Sequence, residues 1–162
     1  MDANAFRHFY DYHFAENRKL WSYVTQLSDE QFMQPVGYSR GSVRDQILHL
    51  ISCDTVWFSG LRGAEIPEDL KPEDFPSRES IRAHWDNVEQ QIRDYLAGLR
   101  DDMLFDKPIV EPEEDKDLIV WQVLLHVVNH GTDHHAQLLR LLNDLGVETA
   151  YQDYIFYVYE NL

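Results

Sequence analysis

The chain has 162 residues, of which 44% are hydrophobic, enough apolar material for the core of one ordinary domain. It carries 29 acidic and 14 basic residues, a formal net charge of -15, so it repels polyanions at long range. This charge argues against nucleic acid and against an anionic membrane surface as partners. We therefore expect a single folded domain over residues 1–162.

Cys53 is the only cysteine, so no disulfide can form within the chain. The N-terminal residues have neither the basic region nor the apolar region of a secretory signal. Charged residues interrupt every apolar run well before the roughly 20 residues that are needed to cross a bilayer. These features predict a cytoplasmic protein without a membrane span.

The first half of the chain has the apolar periodicity of two long helices. Apolar residues recur at steps of three and four over residues 2–27, which predicts the first helix. The sequence 28–31 has the form of a capping box and predicts a short helical turn. A second long helix is predicted over residues 42–63, with Ser42 as its N-cap and the glycines Gly60 and Gly63 as its stop.

The second half predicts two more long helices, separated by irregular segments. Prolines and carboxylates in residues 67–76 predict a solvated loop without regular structure. A third helix is expected after Ser77 and Ser80 and ends near Gly98. Residues 104–121 alternate around a turn-like centre, which predicts a short two-stranded ribbon.

The fourth long helix is predicted over residues 119–145, and an aromatic stretch, residues 151–162, then forms a short helix or an extended tail. Four long helices predict an all-α fold, an antiparallel four-helix bundle. In such a bundle, facing helices offer a natural place for a metal site.

His130 and His134 lie in the apolar stripe of the fourth helix. At 100° per residue the two side chains are only about 40° apart around the axis and roughly 6 Å apart along it, so both rings can reach one ion. Imidazole is a common ligand of zinc, nickel and iron. The alternative is a pair of ordinary core histidines bonded to carbonyls or carboxylates.

A further ligand must come from another helix. His126 lies on nearly the same line of the fourth helix, but it is roughly 12 Å of helix rise from His134, and bonds of ~2.1 Å cannot bridge that distance. The pattern of residues ranks His49 and His13 about equally as this ligand. It favours packing or surface roles for His84, His8 and His135. The candidates for the missing ligand are His49, His13, Cys53 and His84.

The segment WQVLLHVVNHGTDHHAQLLRLL closely resembles the helix-four signature of the DinB-like family of metal-binding four-helix bundles. The segments QILHLISCDTVWF and DYIFYVYE are also similar to that family. The resemblance implies that His49, His130 and His134 bind the metal and that His126 packs beside them. At His135-Ala136 the chain departs from the common Arg-Gly of the family, so an anion or substrate contact by that arginine does not carry over.

Three neutral imidazoles leave at least one position on an ion open for water or substrate, which is typical of a reactive site rather than a structural one. The resemblance implies a metal-dependent S-transferase that uses a low-molecular-weight thiol, or a hydrolase that uses water, acting on a small molecule. Asp133, Asp54 and Glu16 are candidates for a general base, although solvated surface carboxylates are the commoner explanation for each. The alternative function is a non-catalytic, metal-binding stress-response bundle, and the resemblance also implies a homodimer.

Overall fold

The computed structural model describes all 162 residues and contains α-helices, short 3-10 turns and no strand. The all-helical class expected from the sequence is confirmed. Two of the six α-helices are short and four are long. In chain order they are α1 (Ala3–Val24), α2 (Asp29–Met33), α3 (Val43–Leu61), α4 (Arg78–Gly98), α5 (Val120–Asp144) and α6 (Tyr154–Glu160).

Serine caps fix where three of the helices begin. Ser28 forms the predicted capping box at the start of α2, and Ser42, the predicted N-cap of α3, forms a capping box with Asp45. The Ser77 hydroxyl accepts a hydrogen bond from the Ser80 N–H at 3.2 Å, so α4 begins earlier than the apolar pattern suggests, at Arg78.

The end of α3 and the linker after it differ from the expectation. Gly60 lies inside α3, and it is Gly63 that adopts the left-handed backbone, with φ of 62°, after the helix ends. The linker 62–77 also contains a 3-10 turn, Pro72–Asp74, because a proline at the first position of a turn has no N–H left to satisfy.

The four long helices form a ring in which α1 and α3 each pack against both α4 and α5. The Tyr10 hydroxyl donates to the Leu124 carbonyl at 3.0 Å, and Asn17 bonds His135 at 2.6 Å. The later residue of α1 thus contacts the later residue of α5, so the two helices run in the same direction.

The other contacts of the ring give the remaining directions. Trp57 on α3 lies against His126 on α5, with ring centroids 4.9 Å apart, whereas His49 lies against His134 at 4.8 Å, so these helices are antiparallel. Arg7 of α1 donates to the Leu96 carbonyl near the end of α4, so α1 and α4 are antiparallel as well.

The helices α1 and α5 therefore point one way and α3 and α4 the other, which differs from the uniformly antiparallel bundle that the sequence suggested. The linker 62–77 explains the difference. An extended chain covers more than twice the distance per residue that a helix covers, so this linker can return along the whole length of α3.

The predicted two-stranded ribbon over residues 104–121 is wrong. This segment holds the end of a 3-10 turn, Asp101–Phe105, followed by irregular turns. The N–H groups of Asp115 and Leu118 donate to carbonyls three residues earlier instead of across a ladder. Pro108 and Pro112 have no N–H to contribute to a ladder, which is the physical reason why alternation alone does not produce a strand here.

The core between the long helices is mainly apolar, and Trp85 and Phe58 are among its largest fully buried side chains. Gln46 on α3 is an exception, because it is 0% exposed and neither its Nε2 nor its Oε1 has a hydrogen-bond partner. An unpaired amide in a core lowers stability. No helix has an apolar stretch that is long enough to span a membrane.

We expect Gln46→Met to raise the free energy of unfolding by about 1–3 kcal/mol, because methionine has a similar shape and leaves no polar group unpaired. Thermal unfolding of the metal-free protein measures the change. The control is Gln122→Met, because the Gln122 Oε1 accepts a hydrogen bond from the Ile119 N–H at 3.1 Å and its loss should lower stability slightly. A lower melting temperature for Gln46→Met would contradict the expectation.

Candidate metal centre

Three histidines from two helices meet between α3 and α5. His130 and His134 are one turn apart on α5 and lie on the same face, with ring centroids 4.4 Å apart. His49 of α3 faces both, at 5.3 Å from His130 and 4.8 Å from His134. The structure therefore brings together the three residues that the resemblance named.

One nitrogen atom of each ring lies within 4.8 Å of a nitrogen of the other two. Two nitrogens that share one ion through bonds of ~2.1 Å are at most ~4.2 Å apart. Three such nitrogens in tetrahedral geometry are roughly 3.4 Å apart, so side-chain movements of about 1 Å are needed to close the set around a single ion.

The protonation of these rings suits a metal ligand. Burial lowers the pKa of His49 and that of His130 to about 4, and the pKa of His134 is also lowered, chiefly by burial. All three rings are therefore neutral near pH 7, with a free lone pair for a cation. The Nδ1 atom of His134 is buried and has no hydrogen-bond partner, which a bound cation would correct. The residues present thus fit a divalent ion.

Cys53 lies beside this group without joining it. Its Sγ is 3.7 Å from Nδ1 and 3.6 Å from Nε2 of His49, so the sulfur sits over the face of the ring rather than in its plane, where the lone pair points. Burial raises the pKa of the Cys53 thiol to about 11. The group of three nitrogens within 4.8 Å of one another does not include this sulfur.

The other histidines named from the sequence lie elsewhere. His126 packs edge-on against Trp57 and beside His130, outside the group of three nitrogens. His84 packs against Phe75. His8 is exposed and lies against the aromatic rings of α6.

His13, which the sequence ranked level with His49, belongs to a second buried group between α1, α3 and α5. It is 2% exposed and its Nε2 lies 3.6 Å from Oδ2 of Asp54, which is itself 3% exposed. His135, expected to be structural or exposed, is 2% exposed and stacks on His13 with ring centroids 5.8 Å apart. This polar group consists of His13, Asn17, Asp54 and His135.

Hydrogen bonds order this second group and connect it to the C-terminal segment. The His135 Nε2–H donates to Asn17 Oδ1 at 2.6 Å, and its Nδ1 accepts from the Gln152 amide at 2.9 Å. Burial lowers the pKa of His135 well below its usual range, so the ring is neutral. Sequence reasoning missed this group, although the i,i+4 spacing of His13 and Asn17 on the apolar stripe of α1 was a signal for it.

The three carboxylates considered as general bases have different positions. Asp133 is exposed and accepts a hydrogen bond from Gln137 at 2.9 Å, in keeping with a surface role. Glu16 is paired with Lys19 at 3.5 Å. Asp54 is buried, so the solvated explanation is wrong for this residue, because α3 turns it toward His13 in the core.

The fold and the group of three histidines together place the chain among helical bundles with a candidate metal centre. The model of the DinB family matches residues 1–161, and the chain belongs to this family. It is similar to the protein DinB of Bacillus subtilis (strain 168), with 21% identity over 157 residues that cover 93% of this chain and 91% of that protein. The resemblance read from the α5 sequence is thus confirmed.

Gly131 is the position where α5 makes room for His13, since an added Cβ would lie 2.5 Å from a ring carbon of His13. We expect Gly131→Ala to lower the free energy of unfolding by about 1–3 kcal/mol, because the ring must move within a packed core. Chemical denaturation of the metal-free protein measures this.

The matched control is Gly98→Ala, a helical glycine whose Cβ would meet nothing within 4 Å. Alanine there should stabilise the helix by up to about 1 kcal/mol. Equal effects of the two substitutions would show that His13 is not held against α5 as described.

Proposed function

We propose that His49, His130 and His134 bind one divalent metal ion and that the chain is a metal-dependent enzyme acting on a small molecule. The observation that carries this proposal is the convergence of one nitrogen from each of three neutral rings to within 4.8 Å. Imidazole ligands suit zinc, nickel and iron. When bound, such an ion makes a small thiol or a water molecule more acidic, and so a better nucleophile toward an electrophilic substrate.

The residues of the chain hold the site and leave it reactive. Three neutral ligands add no negative charge, and a set of three leaves room for an exchangeable ligand. His49 and His130 are half-buried, so the site is reachable from solvent, while His134 is 8% exposed and anchors it in the bundle. Trp57 and His126 form an aromatic wall one turn further along the two helices. These features support transfer to or from a thiol, or hydrolysis.

A non-catalytic role is the second candidate, and one observation favours it. The C-terminal segment exposes aromatic side chains, with Tyr151, Phe156 and Tyr159 exposed by 84%, 49% and 63%. Contiguous exposed apolar surface is typical of a protein interface. In this alternative the chain is a metal-binding bundle that forms a homodimer through α6, and the ion serves structure.

Elemental analysis of protein purified without a histidine tag tests the site. We expect near-stoichiometric metal in the unmodified protein and at least a tenfold loss of metal affinity in His134→Ala. Loss of a residue that only hydrogen-bonds a metal ligand already lowers metal affinity about 10–100-fold. The control is His8→Ala, whose ring is exposed against α6 and should leave the metal content unchanged. Equal trace metal in all three proteins would refute the site.

Removal of the ion separates the two candidate functions. For the enzyme, we expect the chelated protein to keep its helical circular dichroism and a cooperative thermal transition, because a continuous apolar core joins the long helices without the ion. The transition should shift upward with metal concentration as binding to the folded state requires. Loss of helical structure on chelation would instead favour the structural role.

A further inference from the structure

The loop between α2 and α3 crosses the groove between α3 and α5 close to the three histidines. On one side, the Ser39 hydroxyl donates to Oε1 of Gln137 on α5. On the other, the Ser42 hydroxyl accepts from the Asp45 N–H of α3 at 3.2 Å. Gln137 lies about one turn beyond His134, and Asp45 lies about one turn before His49. Because α3 and α5 are antiparallel, both anchors are at the same end of the site.

The backbone of this loop fixes the position of Arg40. The residues on either side of it, Ser39 and Gly41, have left-handed φ values of 57° and 88°. Gly41 is also packed tightly, since a Cβ there would lie 2.9 Å from Oδ2 of Asp45. The backbone of Arg40 is therefore held in a tight turn, at the end of the site where Gln137 and Asp45 lie.

Arg40 has no acidic partner, although the chain has a net charge of -15. By contrast, other arginines at this end of the bundle form ion pairs: Arg44 with Asp45, Arg78 with Asp29 and Arg82 with Asp86. Arg40 is exposed, so its guanidinium is accessible to a ligand. An unpaired guanidinium offers a planar fork of donors that matches a carboxylate.

Arg40 lies close to the site. The anchors of its loop, Ser39 on Gln137 of α5 and Ser42 at the start of α3, hold Arg40 at one end of the three histidines. Two carboxylates share this neighbourhood, Asp69 of the linker 62–77 and Asp133, which the Gln137 amide already bonds. Neither forms an ion pair with Arg40, so its donors stay available for a ligand.

We propose that Arg40 binds an anionic group of the substrate, a carboxylate, while the reacting end of the same molecule lies at His49, His130 and His134. This inference rests on the proposed function, because it assigns the specificity of that site. The substrate is then a small molecule that carries both a carboxylate and the reacting atom.

Two thiols of similar size test this proposal with the Co(II)-loaded protein. The anionic probe is 3-mercaptopropionate and the neutral probe is 2-mercaptoethanol, and the absorption of Co(II) reports the binding of each. The ratio of their dissociation constants removes effects that both thiols share. We expect Arg40→Ala to reduce the preference for the anionic thiol about tenfold, the factor expected for one charged hydrogen bond, and Arg40→Lys to retain part of it.

The matched control is Arg62→Ala, which removes the same charge at the opposite end of α3 and should leave the preference unchanged. Titration with Co(II) alone is the second readout, and Arg40→Ala should bind the cation at least as tightly as the unmodified protein does. The role of Arg40 is overturned if Arg40→Ala and Arg62→Ala show an equal preference for the anionic thiol, or if the unmodified protein binds neither thiol. Either result leaves the proposed metal site standing. If the unmodified protein binds no Co(II), the proposed function falls, and the role of Arg40 falls with it.

Discussion

The antiparallel register of α3 against α5 is the constraint on which the candidate site depends. A helix can align two histidines by itself, but the third ring must arrive from another element at the same height. The contact of Trp57 with His126 and that of His49 with His134 set this height at two levels of the interface. A slip of one helical turn would move His49 by about 5.4 Å and separate the three nitrogens.

The helix α5 carries two polar faces, whose directions are about 100° apart around its axis. Toward α3 it presents His130 and His134, and toward α1 it presents His135 and the bare backbone of Gly131. Burial keeps the rings neutral on both faces, but the two faces satisfy their nitrogens differently. His135 has a protein partner on each nitrogen, whereas His134 has a buried nitrogen with none, which is why only the first face suits an added cation.

The sequence predicted those features that arise within one segment of chain. Caps and apolar periodicity located the long helices, and the i,i+4 spacing placed His130 and His134 on one face. It could not choose between His49 and His13 from the residues, because both lie on helices with apolar stripes and the choice depends on which helix faces α5. The sequence also could not predict the direction of α4 relative to α3, because the linker 62–77 is long enough for either topology. The prediction of a ribbon was wrong because alternation of residue types does not report which N–H donors are available. Pro108 and Pro112 have none.

Because Gly131 has no side chain, the His13 ring rests directly on the main chain of α5, next to the residue that offers its imidazole to the other face. A partition only one backbone thick thus separates the two groups of histidines. A larger side chain at residue 131 would therefore displace either the His13 ring or the α5 backbone that also carries His130. Packing against α1 and the spacing of the three candidate ligands are therefore coupled mechanically through the backbone of α5.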